Sequence, residues 1–221
     1  RIIENSFQAK GITSSNDGFI YVLDIRGGAT ASYGYALSKY NLDGTKYWTE
    51  YIGNTNTTNG GAVITGNDGS IYVGGGTLGD LDGQTNYGYD DAFISKFNPD
   101  GTNEWSRLVS SGAYDYANAL TIGNEGSIFV AGQIGKGNGS ISNAFLAEFD
   151  SFGNRNNDTW WHSNTPSTYD YATALTTGID GSIYLAGDTT RDAESITSSG
   201  IYDAFVVKFD PNLIQQNSHL I

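Results

Sequence analysis

The residues of this chain whose types and spacing could do chemistry are aspartates and tyrosines, and they cluster. Gly79-Asp80-Leu81-Asp82-Gly83 is followed by Tyr87, Tyr89, Asp90 and Asp91. Tyr114-Asp115-Tyr116 recurs as Tyr169-Asp170-Tyr171, and Asp188, Asp192 and Asp203 come later. Three kinds of chemistry suit such a set. Asp80, Asp82, Asp90 and Asp91 could offer oxygens to calcium, which takes roughly six to eight. The Asp-x-Asp-Gly spacing is shorter than an EF-hand loop and is not repeated, so a solvated acidic loop is the plainer reading. The tyrosines could stack on sugar rings while neighbouring carboxylates bond the hydroxyls, because a sugar has an apolar face and a polar edge; packing within the fold is the alternative. Two carboxylates brought together could run a glycan hydrolase. Asp91 and Asp203 each precede a strand-like run, which favours an Asp side chain bonding nearby backbone amides.

Other chemistries have little to build on. There are no cysteines, which excludes disulfides, zinc-thiolate sites and thiol nucleophiles. The two histidines, His162 and His219, support no Ser-His-Asp arrangement. A net charge of −13 repels DNA and RNA, and no basic stripe offsets it. No apolar run approaches membrane-spanning length, so membrane insertion is not expected. With no Met anywhere, even at position 1, the chain reads as a processed or excised piece of a larger protein.

The elements that must position these residues are written four times. SNDGFIYVLD (15–24), GNDGSIYVGGG (66–76), GNEGSIFVAGQ (123–133) and GIDGSIYLAGD (178–188) share an acidic residue, a glycine and an apolar run with an aromatic second. Gly18, Gly69, Gly126 and Gly181 are separated by 51, 57 and 55 residues. In the second repeat the spacing predicts strands at 62–65, 70–74, 92–97 and 104–109, with turns at Asp68-Gly69 and Asp100-Gly101 and a polar loop from Gly75 to Asp90. The third strand recurs at 35–40, 144–149 and 204–209. The fourth is marked by Trp48 and Trp105; in the third repeat an insertion moves the mark to Trp160, and in the fourth repeat the last strand is degenerate.

Four antiparallel strands per repeat match a β-propeller blade. The expected architecture is all-β, a single domain over 1–221 with blades at about 7–53, 59–110, 114–163 and 169–221, closing as a four-bladed ring, with membership of a larger propeller as the alternative. The loops joining strands two and three share a face with the connections between blades, and the Asp-Gly turns fall on the opposite face. Contacts with a partner are therefore expected from Asp80, Asp82, Tyr87, Tyr89, Tyr114, Asp115, Tyr169, Asp170 and Asp188. Trp161, outside the repeat register, joins them, whereas Trp48, Trp105 and Trp160 read as core.

YDYANALTIGNEGSIFVAG (114–132), YDYATALTTGIDGSIYLAG (169–187) and DAFISKFNPDGTNEWSRL (91–108) resemble the bacterial β-propeller repeat known as SBBP. The resemblance covers essentially the whole chain; the first repeat departs most, with Tyr35-Ala36-Leu37 where the others have Ala-Phe. The family's name refers to seven blades, against four repeats here. The resemblance implies a secreted or cell-surface protein and a scaffold or binding role without catalytic residues. Asn98-Pro99-Asp100-Gly101 also resembles the Asp-box of sialidase propellers, but its adjacent Asp and Gly make it read as a turn. The resulting expectation is a non-enzymatic extracellular module that presents its acidic, Tyr-rich loop face to a protein or glycan. Calcium is a possible cofactor, and a glycan-active hydrolase or lyase using loop-face carboxylates is the alternative.

Overall fold

The computed structural model describes residues 6–27, 33–53, 59–136, 141–161, 169–190 and 202–220. These form sixteen strands in four antiparallel sheets, each a simple meander of four consecutive strands. The first sheet is β1 (Ser6–Ser14), β2 (Ile20–Gly27), β3 (Tyr33–Tyr40) and β4 (Lys46–Ile52). The second is β5 (Ala62–Thr65), β6 (Ile71–Thr77), β7 (Asp91–Phe97) and β8 (Asn103–Val109). The third is β9 (Tyr116–Ile122), β10 (Ile128–Lys136), β11 (Ile141–Phe149) and β12 (Arg155–Trp161). The fourth is β13 (Asp170–Thr177), β14 (Ile183–Thr189), β15 (Asp203–Phe209) and β16 (Gln215–Leu220).

Local chemistry sets these boundaries. The Ile-aromatic-aliphatic runs favour a pleated, buried strand. The turn before each run needs a left-handed residue, supplied in the second repeat by Gly69 at φ 84°. There the Asp68 carboxylate accepts the Ser70 amide at 3.0 Å and locks the turn. β6 runs on to Thr77, past the expected end at Gly74, with Gly74 buried against Ala117 and Leu120, Gly75 beneath the rings of Tyr35 and Phe93, and Gly76 beneath that of Tyr116.

The sheets pack face to face, each first strand against the first strand of the next sheet. One cluster joins the first and second sheets through Tyr21, Leu37, Val73 and Phe93. A second joins the second and third through Ile94, Leu120, Val130 and Phe145, and a third joins the third and fourth through Leu146, Leu185, Phe205 and Phe209. A polar clasp repeats at the first two seams. Lys39 Nζ and Trp48 Nε1 both donate to the Pro99 carbonyl of the next sheet, at 2.9 and 3.4 Å. Lys96 Nζ and Trp105 Nε1 likewise donate to the Ser151 carbonyl, at 3.3 and 3.1 Å.

Two expectations are corrected here. The four sheets do not close into a ring: among the described residues no strand of the fourth sheet makes more than marginal contact with the first. And the third repeat has no insertion. Asn157 pairs with Glu148, as Trp48 pairs with Lys39 and Trp105 with Lys96. Asn157 takes the tryptophan's place and donates to the Asn212 carbonyl at 2.8 Å. Trp160 is 45% exposed and is not core, whereas Trp161, at 2%, stacks on Phe205 with ring centroids 3.9 Å apart.

Candidate functional site

The loop after β6 (78–90) and the connection between β8 and β9 (110–115) meet over the seam of the second and third sheets. The Asp115 amide donates to the Asp90 carbonyl at 2.7 Å. A Cβ on Gly88 would lie 2.5 Å from the Gly112 backbone, so only glycine permits this approach. The contact gathers three carboxylates, Asp90, Asp91 and Asp115, all buried.

Two of the three are fully occupied in holding the loops. Asp91 accepts the Tyr87 amide at 2.8 Å and the Ser110 hydroxyl at 2.7 Å. Asp115 accepts the Ser111 amide at 2.6 Å, the Ser111 hydroxyl at 2.7 Å and the Gly135 amide at 2.8 Å. Burial pushes both carboxyls above the ordinary aspartate range. Those hydrogen bonds oppose the shift, and a neighbouring carboxylate adds to it, Asp90 beside Asp91 and Asp91 beside Asp115.

Asp90 is different. Its Oδ2 accepts the Tyr116 hydroxyl at 2.6 Å, while its buried Oδ1 has no partner among the described residues. Such an oxygen is costly to leave bare, so it stands ready for a donor. Tyr35 reaches in from the first sheet and accepts the Gly76 amide at 3.4 Å. Burial raises the phenols of Tyr35 and Tyr116, and the Asp90 carboxylate raises both further. Three sheets thus converge on one carboxylate. Above it Tyr89 and Tyr114 stack with centroids 4.6 Å apart, and Tyr87 is 74% exposed.

The expected contact residues divide accordingly. Tyr87, Tyr89 and Tyr114 stand together at this seam and are exposed, as are Asp80 and Asp82 on the same loop. Asp115 and Asp170 are wholly buried and Trp161 nearly so, which removes all three from direct contact with a partner. Asp170 accepts the Thr189 hydroxyl at 2.6 Å inside the fourth sheet. Tyr169 is half-buried, bridges to Ser142 of the third sheet and stacks on Tyr171 at 6.0 Å, and Asp188 is exposed on β14, outside the seam of the second and third sheets. Asp192 lies outside the described residues. Sequence reasoning overlooked Tyr35, which stands between Gly34 and Ala36 with no acidic neighbour to signal it; Tyr116 was read beside Asp115 as a sugar-stacking group, not as a donor to Asp90.

Each of the four acids that could serve calcium accepts at least one protein hydrogen bond. Asp80 accepts the Asn86 amide at 2.9 Å, Asp82 accepts the Ser106 hydroxyl, and Asp90 and Asp91 are buried with partners of their own. Among the described residues no three acids or histidines converge as a cation cage.

No protein-family model matches the sequence, and no curated protein matches it. Its shape does have relatives. A protein of unknown function from Dyadobacter fermentans DSM 18053 aligns at TM-score 0.60 with 12% identity, covering 98% of this chain and 70% of that one. The polysaccharide lyase Uly1 aligns at TM-score 0.58 with 14% identity, covering 96% of this chain and 55% of the lyase. A GH43_1 enzyme from Xanthomonas citri aligns at TM-score 0.49 with 10% identity, covering 92% and 70%. The architecture, four antiparallel four-stranded meanders packed face to face, has the layout of β-propeller blades. This chain spans about half the length of the lyase. The expectation of a non-enzymatic module does not stand. It rested on the SBBP resemblance and on the absence of a catalytic motif, and a polysaccharide lyase has a similar fold.

Proposed function

We propose that the protein is a glycan-active propeller enzyme, with carbohydrate seated on Tyr89 and Tyr114 and Asp90 as the group that acts on it. The observation that carries this reading is the concentration of acids in one seam. Asp90, Asp91 and Asp115 sit under an exposed aromatic pair, two of them with raised carboxyls, instead of being spread around the rim. A tyrosine platform suits the apolar face of a sugar. Asp90 is buried, bonded to Tyr116 and with Oδ1 unpartnered among the described residues; exchanging a proton with a bound hydroxyl or glycosidic oxygen requires the loop at 78–90 to uncover it. Asp91 and Asp115 act as positioning residues that hold the two loops together.

Net charge decides between substrate classes. A chain at −13 repels polyuronates, and elimination by a lyase needs a uronate. Hydrolysis of a neutral glycan is therefore the better fit. An extracellular or cell-surface setting, as in SBBP-type proteins, is part of the same proposal, since polymeric glycans are met there. The test is a panel of neutral polysaccharides assayed for new reducing ends. Activity that Asp90→Asn abolishes and Tyr89→Ala weakens mainly through KM supports the reading. Binding without cleavage would leave a lectin and remove the catalytic half. Neither binding nor cleavage would remove the whole.

A further inference from the structure

Every sheet has a forward face, turned toward the next sheet, and a back face, turned toward the preceding one. At the three internal seams these faces are built alike. The back face carries Ile71, Val73 and Phe97 in the second sheet and Ile128, Val130 and Phe149 in the third, with Ile183, Leu185 and Phe209 in the fourth; all are buried. The forward face carries an aromatic residue, an aliphatic one and a long polar one: Tyr21, Leu37 and Lys39, then Tyr72, Ile94 and Lys96.

Two faces of the chain are left over. The back face of the first sheet holds Ile20, Val22 and Tyr40 at the same register positions, only half-buried, with Ile12 beside Val22 and 70% exposed. The forward face of the fourth sheet holds Tyr184, Val206 and Lys208, also half-buried. Lys39 and Lys96 reach a turn carbonyl of the next sheet, whereas Lys208 turns back to Asp180 at 3.3 Å. The turn that would meet Lys208 is Asn41-Leu42-Asp43-Gly44, with Leu42 71% exposed. A Cβ on Gly44 would meet nothing within 4 Å, whereas at the matching Gly101 and Gly153 it would meet Trp48 and Trp105 of the preceding sheet.

We propose that these two faces are the halves of one seam made between two copies of the chain, the fourth sheet of one packing on the first sheet of the other. Continuity with the three internal seams identifies the occupant: each leftover face has the register of a partner that the chain itself carries at its other end. Among the described residues the ring does not close within one copy, and a second copy carries the face that each end lacks. The contact is heterologous, and two copies made this way can return on themselves as a two-fold ring of eight sheets. In it Lys208 exchanges Asp180 for the Leu42 carbonyl of the other copy.

Sedimentation at physiological ionic strength, where the screening length is about 8 Å, keeps the large like charges of the two copies from masking the contact. A species of twice the chain mass is expected. Val206→Glu on one face and Val22→Glu on the other should each weaken association by at least about tenfold, the order of one lost buried valine. The absence of cysteine allows a sharper test. Chains carrying only Leu42→Cys are mixed with chains carrying only Lys208→Cys and treated with a short bismaleimide. A cross-linked pair from the mixture, and little from either chain alone, supports the seam. A monomer, a dimer that gives no mixed cross-link, or a doubly substituted chain that links only within itself would each overturn it.

Discussion

The middle strands of the second sheet and the fourth have nearly the same sequences and different surroundings. β7 is buried at every position, while β15, its counterpart, alternates between buried and half-buried or exposed. β6 is likewise buried throughout and β14 alternates. A sheet with neighbours on both faces reads as a continuous apolar run, and one with a single neighbour needs only every second residue inside. Yet the fourth sheet keeps Tyr184 and Val206 on the side that has no neighbour. The repeat therefore encodes two sticky faces per sheet, and position in the array decides which are covered.

The contrast can be broken by substitution. Ile94→Ala, in the inner sheet, should lower stability by about 3–4 kcal/mol, whereas Val206→Ala, at the matching position of the outer one, should cost under about 1.5 kcal/mol. Denaturant titration of both, at a chain concentration low enough to keep copies apart, reads the difference, and equal losses would mean that the fourth sheet is covered within a single copy. Gly132→Ala comes next, at about 2–3 kcal/mol, because its Cβ would sit 1.8 Å from the Tyr116 carbonyl. Gly126→Ala, with φ 85° and open space around it, should cost only about 1–2 kcal/mol in the same titration. Of similar size, removing the buried clasp in Lys96→Ala should cost about 1.5–2 kcal/mol, since a charged hydrogen bond to the next sheet is lost. Lys208→Ala should move the thermal midpoint hardly at all, as expected of a surface pair.

The gentlest test compares the two faces of the propeller by pH. Asp91 and Asp115, at the loop seam, have raised pKa values. Above pH 3.8 and up to their folded values the native chain holds more protons than the unfolded one. Stability therefore falls as pH rises through that window and returns on acidification. Asp100, Asp150 and Asp180, in the tight turns, have lowered values because turn amides and side chains bond their carboxylates. Their contribution is present above pH 3.8 and is lost as pH falls through the folded values. Unfolding titrations across pH should show Asp115→Asn flattening the slope above pH 3.8. Asp150→Asn should flatten it below. The reverse assignment would remove the distinction between seam and turn carboxylates.

Much of the fold was legible because strand and turn signals are local. Ile71-Tyr72-Val73 after Asp68-Gly69 specifies a turn and a buried strand whatever lies around it. The limits of that reading are equally local. Counting from Trp48 and Trp105 to the next tryptophan led to Trp160, although the ladder places Asn157 opposite Glu148. Asn157 does the tryptophan's bonding without resembling it, so residue identity misled where register did not. At the candidate site the tyrosines were visible as types. That Asp115 would be sealed and Asp90 left with a spare oxygen depends on how two loops distant in sequence meet.

By itself, the amino-acid sequence determined the sixteen strands, their grouping in fours and the face on which the long loops gather, because a period, a turn residue and an alternation are short-range properties. The tertiary structure alone decided that the ring stays open, that Trp161 is core, and that Asp90, Tyr116 and Tyr35 come from three sheets to one point. Those outcomes depend on how whole faces pack, and packing is settled between residues that the chain places some fifty positions apart.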